Sequence, residues 1–250
     1  MQRYFIASQP QKLVTLPPDA AHHLVKVMRA TAGTAIEVVL ADHRVYLAKL
    51  ATITPAVTVK IIRQLPNDSE LPVTAILACG VPKTKEKPEL IVQKATELGV
   101  SKVVFFESAR SISHWNDKKA ERKISRLNKI AEAAAEQSHR NLLPTVEYCP
   151  NLKELLATYP ATRRVVAWEE SAKQGEVSAL AQQFNQLAPG DSLLAIFGPE
   201  GGLTAQEVAT MEEAGVVPAG LGPRILRTET APLYFMAALS YALELSATPK

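Results

Sequence analysis

From residue 73 onward, short apolar runs and amphipathic stretches take turns along the chain, and this alternation restricts the fold more than any other feature. Apolar runs at 73–79, 102–106, 164–168 and 193–197 are separated by segments of helical period at about 88–98, 117–139, 175–187 and 204–214. Strands that recur after intervening helices build a parallel sheet covered by helices. Fainter strand signals lie at 145–148 and 216–221. Residues 231–246 read as a last helix that is apolar almost all round, Glu244 being its one charge before the end; a helix of that kind needs partners on every side.

Ahead of this region the period changes. Residues 34–40, 44–53 and 57–65 are rich in Val, Ile, Leu and Thr and are broken by Ala41-Asp42-His43 and Thr54-Pro55, which predicts strands joined by short turns. The stretch from Asp19 to Arg29 reads as one helix, so the expectation is a small β-barrel with a helix. The polar run Asn67-Asp68-Ser69-Glu70, followed by Pro72, marks a boundary. Two domains result, 1–70 and 71–250.

Composition narrows the function. No window approaches the ~18–20 apolar residues of a membrane span, and Met1-Gln2-Arg3-Tyr4-Phe5 lacks the apolar core of a signal peptide, so a cytoplasmic protein with no membrane partner is expected. Cys79 and Cys149 are isolated and the five histidines show no ligand spacing, which predicts buried thiols and no metal. The net charge of +3 is unevenly spread: residues 1–70 hold eight basic and five acidic side chains, whereas residues 71–250 hold twenty of each. Within the balanced part, residues 81–140 carry thirteen basic and eight acidic groups. Clustered cations on a neutral body suit RNA, because phosphates reward them through counterion release. Some of the bases between Lys118 and Lys129 fit a solvated helix face equally well.

The run Ile196-Phe197-Gly198-Pro199-Glu200-Gly201-Gly202-Leu203 follows a strand and precedes Thr204-Ala205-Gln206-Glu207, whose spacing is that of a helix capping box. Three glycines in five positions allow positive φ and close approach of backbone to a ligand; a bare βα turn would read the same. The turn lacks the Gly-Lys-Ser/Thr ending of a phosphate loop and the G-x-G-x-x-G of a dinucleotide site, since Gly220-Leu221-Gly222 is followed by Ile225 where the third glycine should stand. Glu200 inside the loop disfavours a phosphate and suits a neutral or cationic ligand, such as adenosine carried on a sulfonium.

The glycine turn and the segment Leu221-Gly222-Pro223-Arg224-Ile225-Leu226-Arg227-Thr228-Glu229-Thr230-Ala231 together resemble the RsmE family of 16S ribosomal RNA uridine-N3 methyltransferases, of the SPOUT class. The likeness continues in His22-His23-Leu24-Val25-Lys26-Val27-Met28-Arg29, in Lys94-Ala95-Thr96-Glu97-Leu98-Gly99-Val100 and in Glu136-Gln137-Ser138-His139-Arg140. Met28 departs from the family's leucine, and Pro88 interrupts the Lys-rich approach to the Glu-Leu-Gly helix. The resemblance implies a parallel α/β sheet with a C-terminal deep trefoil knot, a PUA-like N-terminal domain, a homodimer, and S-adenosyl-L-methionine as cofactor.

It further implies that the cofactor is held from three loops: Trp168 and Glu169; Phe197, Gly198, Pro199, Glu200, Gly201 and Gly202; and Leu221, Gly222, Ile225, Leu226, Arg227 and Thr228. Arg140 and Arg227 would stand beside the target uracil as anion-stabilising donors, since a guanidinium is too weak an acid to serve as a base. Glu200 and Glu136 are the candidate carboxylates for the N3 proton, with water as the alternative; Arg140 could instead be a helix C-terminal cation. RNA contacts fall to Arg3, His22, Lys26, Arg29, Lys83 and Lys87, with 16S rRNA or the small ribosomal subunit as partner. A ribose 2'-O-methyltransferase of the same class and an idle rRNA-binding assembly protein are the alternatives.

Overall fold

The computed structural model describes residues 1–115, 117–173 and 178–246, excepting the side chains at 117, 118, 172 and 173. The chain divides into two compact units, Met1–Glu70 with Ala135–Leu143, and Leu71–Ala134 with Pro144–Lys250. Sequence puts the boundary after residue 70, but the segment 135–143, expected in the second domain, belongs to the first unit.

The first unit contains β1 (Arg3–Phe5), β2 (Leu13–Thr15), α1 (Pro18–His22) continued by a wider π turn at His23–Val27, β3 (Ala35–Val39), β4 (Val45–Thr52) and β5 (Thr58–Gln64). Its strands lie in the order β1-β3-β4-β5-β2, with β1 parallel to β3 and the other pairs antiparallel. The expected small β-barrel takes the form of a curled sheet, a half-barrel with β1 and β2 at its ends. Alternation sends Tyr4, Val14, Ile36, Val38, Ala48, Leu50 and Val59 to one face, where Leu24 joins them. Tyr4 also meets His23 through a 2.9 Å Oη–Nδ1 hydrogen bond, and burial, aided by Glu136, pushes its phenol up to about 12.

The opposite face is polar and partly covered. Arg3 lies in register with Glu37 and donates to its Oε2 from Nε (2.9 Å) and Nη2 (2.8 Å). Its Nη1 donates to the carbonyls of His139 (2.5 Å) and Arg140 (3.0 Å) and to Asn141 Oδ1 (3.0 Å). Arg140 in turn grips Glu70, Nε and Nη2 reaching Oε2 at 3.0 and 2.6 Å, while Glu70 Oε1 accepts from the backbone N–H of Asn141 and Leu142. Buried ions persist where partners meet their hydrogen-bonding needs, as both arginines' do here. His139 holds φ +57, and the Arg140 and His139 N–H groups bond back to the carbonyls of Ala135 and Glu136, a helix ending that usually takes glycine.

The second unit runs β6 (Thr74–Gly80), α2 (Glu86–Glu97), β7 (Lys102–Phe106), α3 (Asp117–Gln137, its last residues belonging to the first unit), β8 (Thr145–Cys149), α4 (Leu152–Thr158), β9 (Arg163–Ala167), α5 (Glu169–Lys173), α6 (Ala179–Asn185), β10 (Ser192–Phe197), α7 (Ala205–Glu213), β11 (Val217–Ala219) and α8 (Thr230–Ser240), which continues as a π turn over Tyr241–Leu245. The sheet order is β11-β9-β10-β6-β7-β8, every neighbouring pair parallel. Both faces are apolar: along β10, Leu193, Ala195 and Phe197 join one core with Ile91, Leu127 and Phe235, while Leu194 and Ile196 join another with Leu155, Val208 and Met211.

Local chemistry explains the ends. Pro88 sits in the first turn of α2, where no intrahelical N–H is required. Gly99, at φ +95, closes that helix with two backbone bonds, Gly99 N–H to Thr96 and Val100 N–H to Ala95. Of the expected helix at 175–187, residues 175–177 lie outside the described residues. The helices α4 and α5 have no counterpart among the expectations, being too short to show a period. The last helix also differs: Phe235, Met236 and Leu239 are buried, but Tyr234, Tyr241 and Leu245 are exposed, so it is not covered on every side within one chain.

Candidate functional site

A cavity of about 820 Å³ opens at the carboxyl ends of β9 and β10, the edge where open α/β sheets bind ligands. Its wall draws on Ala167 to Glu170, Phe197 to Leu203 and Leu221 to Thr228. All fourteen residues assigned to a cofactor from sequence, Trp168 and Glu169 through Thr228, line it. Thr228 Oγ1 donates to the Gly198 carbonyl at 2.9 Å, tying the third segment to the second.

The glycine turn is built by close approach more than by unusual torsions. A Cβ on Gly198 would stand 3.0 Å from the Gly202 backbone, and one on Gly80, at the end of β6, 2.4 Å from Pro199 Cδ. Gly202 has φ +71 and Gly222 φ +90. Gly201, expected at positive φ, is not in that region; a Cβ there would meet Arg110 Cβ and its carbonyl at 3.0 Å, so packing explains the glycine. The capping box expected at Thr204 is present, Thr204 Oγ1 accepting from Glu207 N–H and Glu207 Oε2 accepting from Thr204 N–H.

Glu200 belongs to an ionic latch. Lys87 Nζ lies 2.8 Å from Glu200 Oε1 and 3.1 Å from Glu229 Oε2, and the Lys83 N–H donates to both Glu200 oxygens at 3.1 Å. Burial pushes the Glu200 carboxyl upward, but the Lys87 hydrogen bond and the backbone N–H donors outweigh it and hold the group below its usual range. The Glu200 bond likewise raises Lys87 against the opposing effect of burial. A carboxylate so held is a weak proton acceptor.

The remaining site residues separate. Arg227 and Arg224 are exposed on the cavity wall. Arg140, expected beside the uracil, is 2% exposed with its guanidinium committed to Glu70. Arg3, expected on phosphate, is 1% exposed and committed to Glu37. Both corrections share a cause, since a largely shielded acid in the first unit claims each cation. His22, Lys26 and Arg29 are exposed in that unit and Lys83 is exposed in the second, whereas Lys87 turns into the cavity wall. Arg110 escaped notice: it lines the cavity and donates from Nη1 to the Gly201 carbonyl at 3.2 Å, yet its segment carries no motif. Among the described residues no group of His, Cys, Asp and Glu gathers as metal ligands, and no helix is long and apolar enough to cross a membrane.

Fold and cavity together are those of an RNA methyltransferase. The model of an RNA methyltransferase domain matches residues 69–240, and that of an RNA methyltransferase PUA domain matches residues 16–62. Ribosomal RNA small subunit methyltransferase E of Bacillus subtilis is 43% identical over 252 aligned positions, covering 98% of each chain. Among solved structures, ribosomal RNA small subunit methyltransferase E of Neisseria gonorrhoeae bound to S-adenosyl methionine is similar with a TM-score of 0.81 at 26% identity, covering 96% of this chain and 97% of that one. A Legionella pneumophila methyltransferase in complex with its cofactor SAM gives 0.82 at 25% identity over the same shares. This chain belongs to the RsmE family of small-subunit ribosomal RNA methyltransferases.

Proposed function

We propose that this protein transfers a methyl group from S-adenosyl-L-methionine to N3 of a uridine in 16S rRNA. The observation that carries the reading is the meeting of Leu221–Thr228 with the glycine turn around one cavity, tied by the Thr228–Gly198 bond. The residues fit the cofactor: Ala167, Phe197, Leu203, Leu221, Leu226 and Ala231 offer apolar surface for an adenine, and the glycines leave backbone groups within reach of a ribose. Bound there, the cofactor supplies a methyl group on an electrophilic sulfonium.

Uracil N3 attacks only after losing its proton, so the protein must stabilise a developing anion. Arg227, exposed on the wall, is the donor proposed for that charge. Glu200, held ionised by Lys87, acts in this reading as an electrostatic and positioning group, and the proton leaves to water. A C-terminal trefoil knot belongs to this reading through the family likeness, and a homodimer would cover the exposed Tyr234, Tyr241 and Leu245 of the last helix. The first unit serves as the PUA-like rRNA-docking domain, in the cytoplasm where ribosomes assemble.

The experiment is methylation of small-subunit rRNA in vitro with labelled cofactor, followed by nucleoside mass spectrometry. The expected product is 3-methyluridine, absent with Arg227→Ala. A ribose-methylated nucleoside would replace this reading by the 2'-O reaction, and cofactor binding without transfer would make the chain an assembly factor.

A further inference from the structure

The outer face of the first unit's sheet is divided. Toward β1 and β3, Arg3 and Glu37 are buried with residues of the segment 135–143. Toward β5 and β2 the same face is open, and its registered rows are cationic and hydroxylated. Lys49 on β4 lies directly opposite Lys60 on β5, and Lys60 opposite the exposed Leu13 on β2. The neighbouring row aligns Thr52, Thr58 and Thr15, with the first two hydroxyls 2.7 Å apart. On the other side Arg63 pairs in register with Leu47. Lys49, Lys60 and Arg63 are all exposed, and none has a carboxylate partner among the described residues.

Two like charges directly opposite on adjacent strands destabilise a sheet, so Lys49 opposite Lys60 gains nothing for the fold. The acids of residues 1–70 are also placed elsewhere. Glu37 and Glu70 pair with Arg3 and Arg140, Asp42 accepts from Tyr46 Oη at 2.7 Å, Asp68 accepts from the Glu70 N–H, and Asp19 lies in α1. Part of the positive charge of residues 1–70 is thus left on a surface whose reverse side is the packed core of Val14, Ala48, Leu50 and Val59, the rest being spread over the exposed Lys12, Lys26, Arg29 and Arg44. With a rise of about 3.3 Å per residue, Thr58, Lys60 and Arg63 place donors along roughly 17 Å of one strand. That is an extended rigid row, the shape of a polyanion backbone.

We propose that this open half of the sheet, through Lys49, Lys60 and Arg63 with the threonine row beside them, binds the phosphate backbone of rRNA. The proposal rests on the rRNA reading of the preceding section and names the surface that docks it. It replaces Arg3, whose guanidinium is buried, by three cations whose charge is unspent.

The test compares wild type, Lys49→Gln/Lys60→Gln/Arg63→Gln and the charge-preserving Lys49→Arg/Lys60→Arg/Arg63→Lys, by filter binding to transcribed 16S rRNA across a salt series. The glutamine variant is expected to lower affinity at least tenfold at low salt and to flatten the log–log salt slope by about two to three, at ~0.7–0.9 per lost phosphate contact. The charge-preserving variant should keep the wild-type slope. Melting temperature should be equal or higher in the glutamine variant, since the repulsion is relieved, which separates lost docking from lost folding. Unchanged rRNA affinity and slope in the glutamine variant would overturn the proposal, as would an equal loss in the charge-preserving one. If wild type binds rRNA but transfers no methyl group, the functional reading fails while the slope comparison still decides the surface. Retained rRNA binding with loss of binding to an acidic protein, poly-glutamate serving as probe, would make the face a protein contact and equally overturn it.

Discussion

The two sheets of this protein treat charge in opposite ways. The parallel sheet of the second unit packs an apolar core on each face, carries the Lys102–Glu147 ion pair on its β7–β8 edge, and has Lys87, Glu200 and Glu229 at the edge of a cavity beyond the strand ends. The first unit's sheet is apolar on one face and carries ions on the other, some buried in pairs and some left bare. Arginine accordingly means different things in the two places. Where an acid grips the guanidinium, as at Arg3 and Arg140, the cation holds structure; Arg227, exposed on the cavity wall and in no salt bridge among the described residues, remains available to a ligand.

The largest test of that contrast is Arg140→Ala. It leaves the half-buried Glu70 without its counter-ion; removal of one partner of a fully buried pair costs about 3–5 kcal/mol, an upper bound here. Calorimetry should show the first unit melting early while cofactor affinity is unchanged, because the cavity wall belongs to the second unit. A variant of normal stability that transfers methyl groups slowly would return Arg140 to the reaction.

Gly80→Ala addresses the second unit alone. Its Cβ would fall 2.4 Å from Pro199 Cδ and 2.5 Å from Pro199 N, so the glycine turn must shift as backbone. The expected result is a cofactor Kd raised at least tenfold, about 1.4 kcal/mol, with little change in melting. Titration calorimetry checks it, and wild-type affinity would mean that the turn does not need its observed position.

Lys87→Met is the mildest. The latch is partly solvated, and pairs of that kind contribute on the order of 0–1 kcal/mol, so cofactor affinity at neutral pH should fall by no more than about fivefold. The pH dependence is sharper. A Glu200 carboxyl held below its ordinary 4.5 contributes fully above that value and is lost as pH falls through the depressed one. Without Lys87 the acid-side loss of cofactor affinity should begin at higher pH; an unmoved acid limb would show that Glu200 does not need its lysine.

Strands and helices with a full period were legible in the sequence, and so were the cavity segments, because glycine spacing and the box at Thr204 are local signals. The burial of Arg3 and Arg140 was not. Their partners Glu37 and Glu70 lie 34 and 70 residues away, and nothing adjacent to a lone arginine announces that an acid will be buried with it. Gly201 is ambiguous for a related reason: sequence cannot distinguish a glycine required by torsion from one required by a neighbour such as Arg110. The basic excess of residues 1–70 was countable, but the facing of Lys49 and Lys60 depends on strand register, which a bulge between Leu47 and Ala48 shifts.

The segment 135–143 has a consequence for how the protein is born. A sheet made of residues 3–64 leaves the ribosome early, yet Glu37 and Glu70 receive part of their bonding only from residues 139–142. At ~5–20 residues per second, the roughly seventy residues after Glu70 take about 4–14 s to emerge. During that interval the nascent first unit holds carboxylates whose final partners have not been synthesised. Its completion is therefore timed by translation of the residues up to Leu142, well inside the sequence of the second unit.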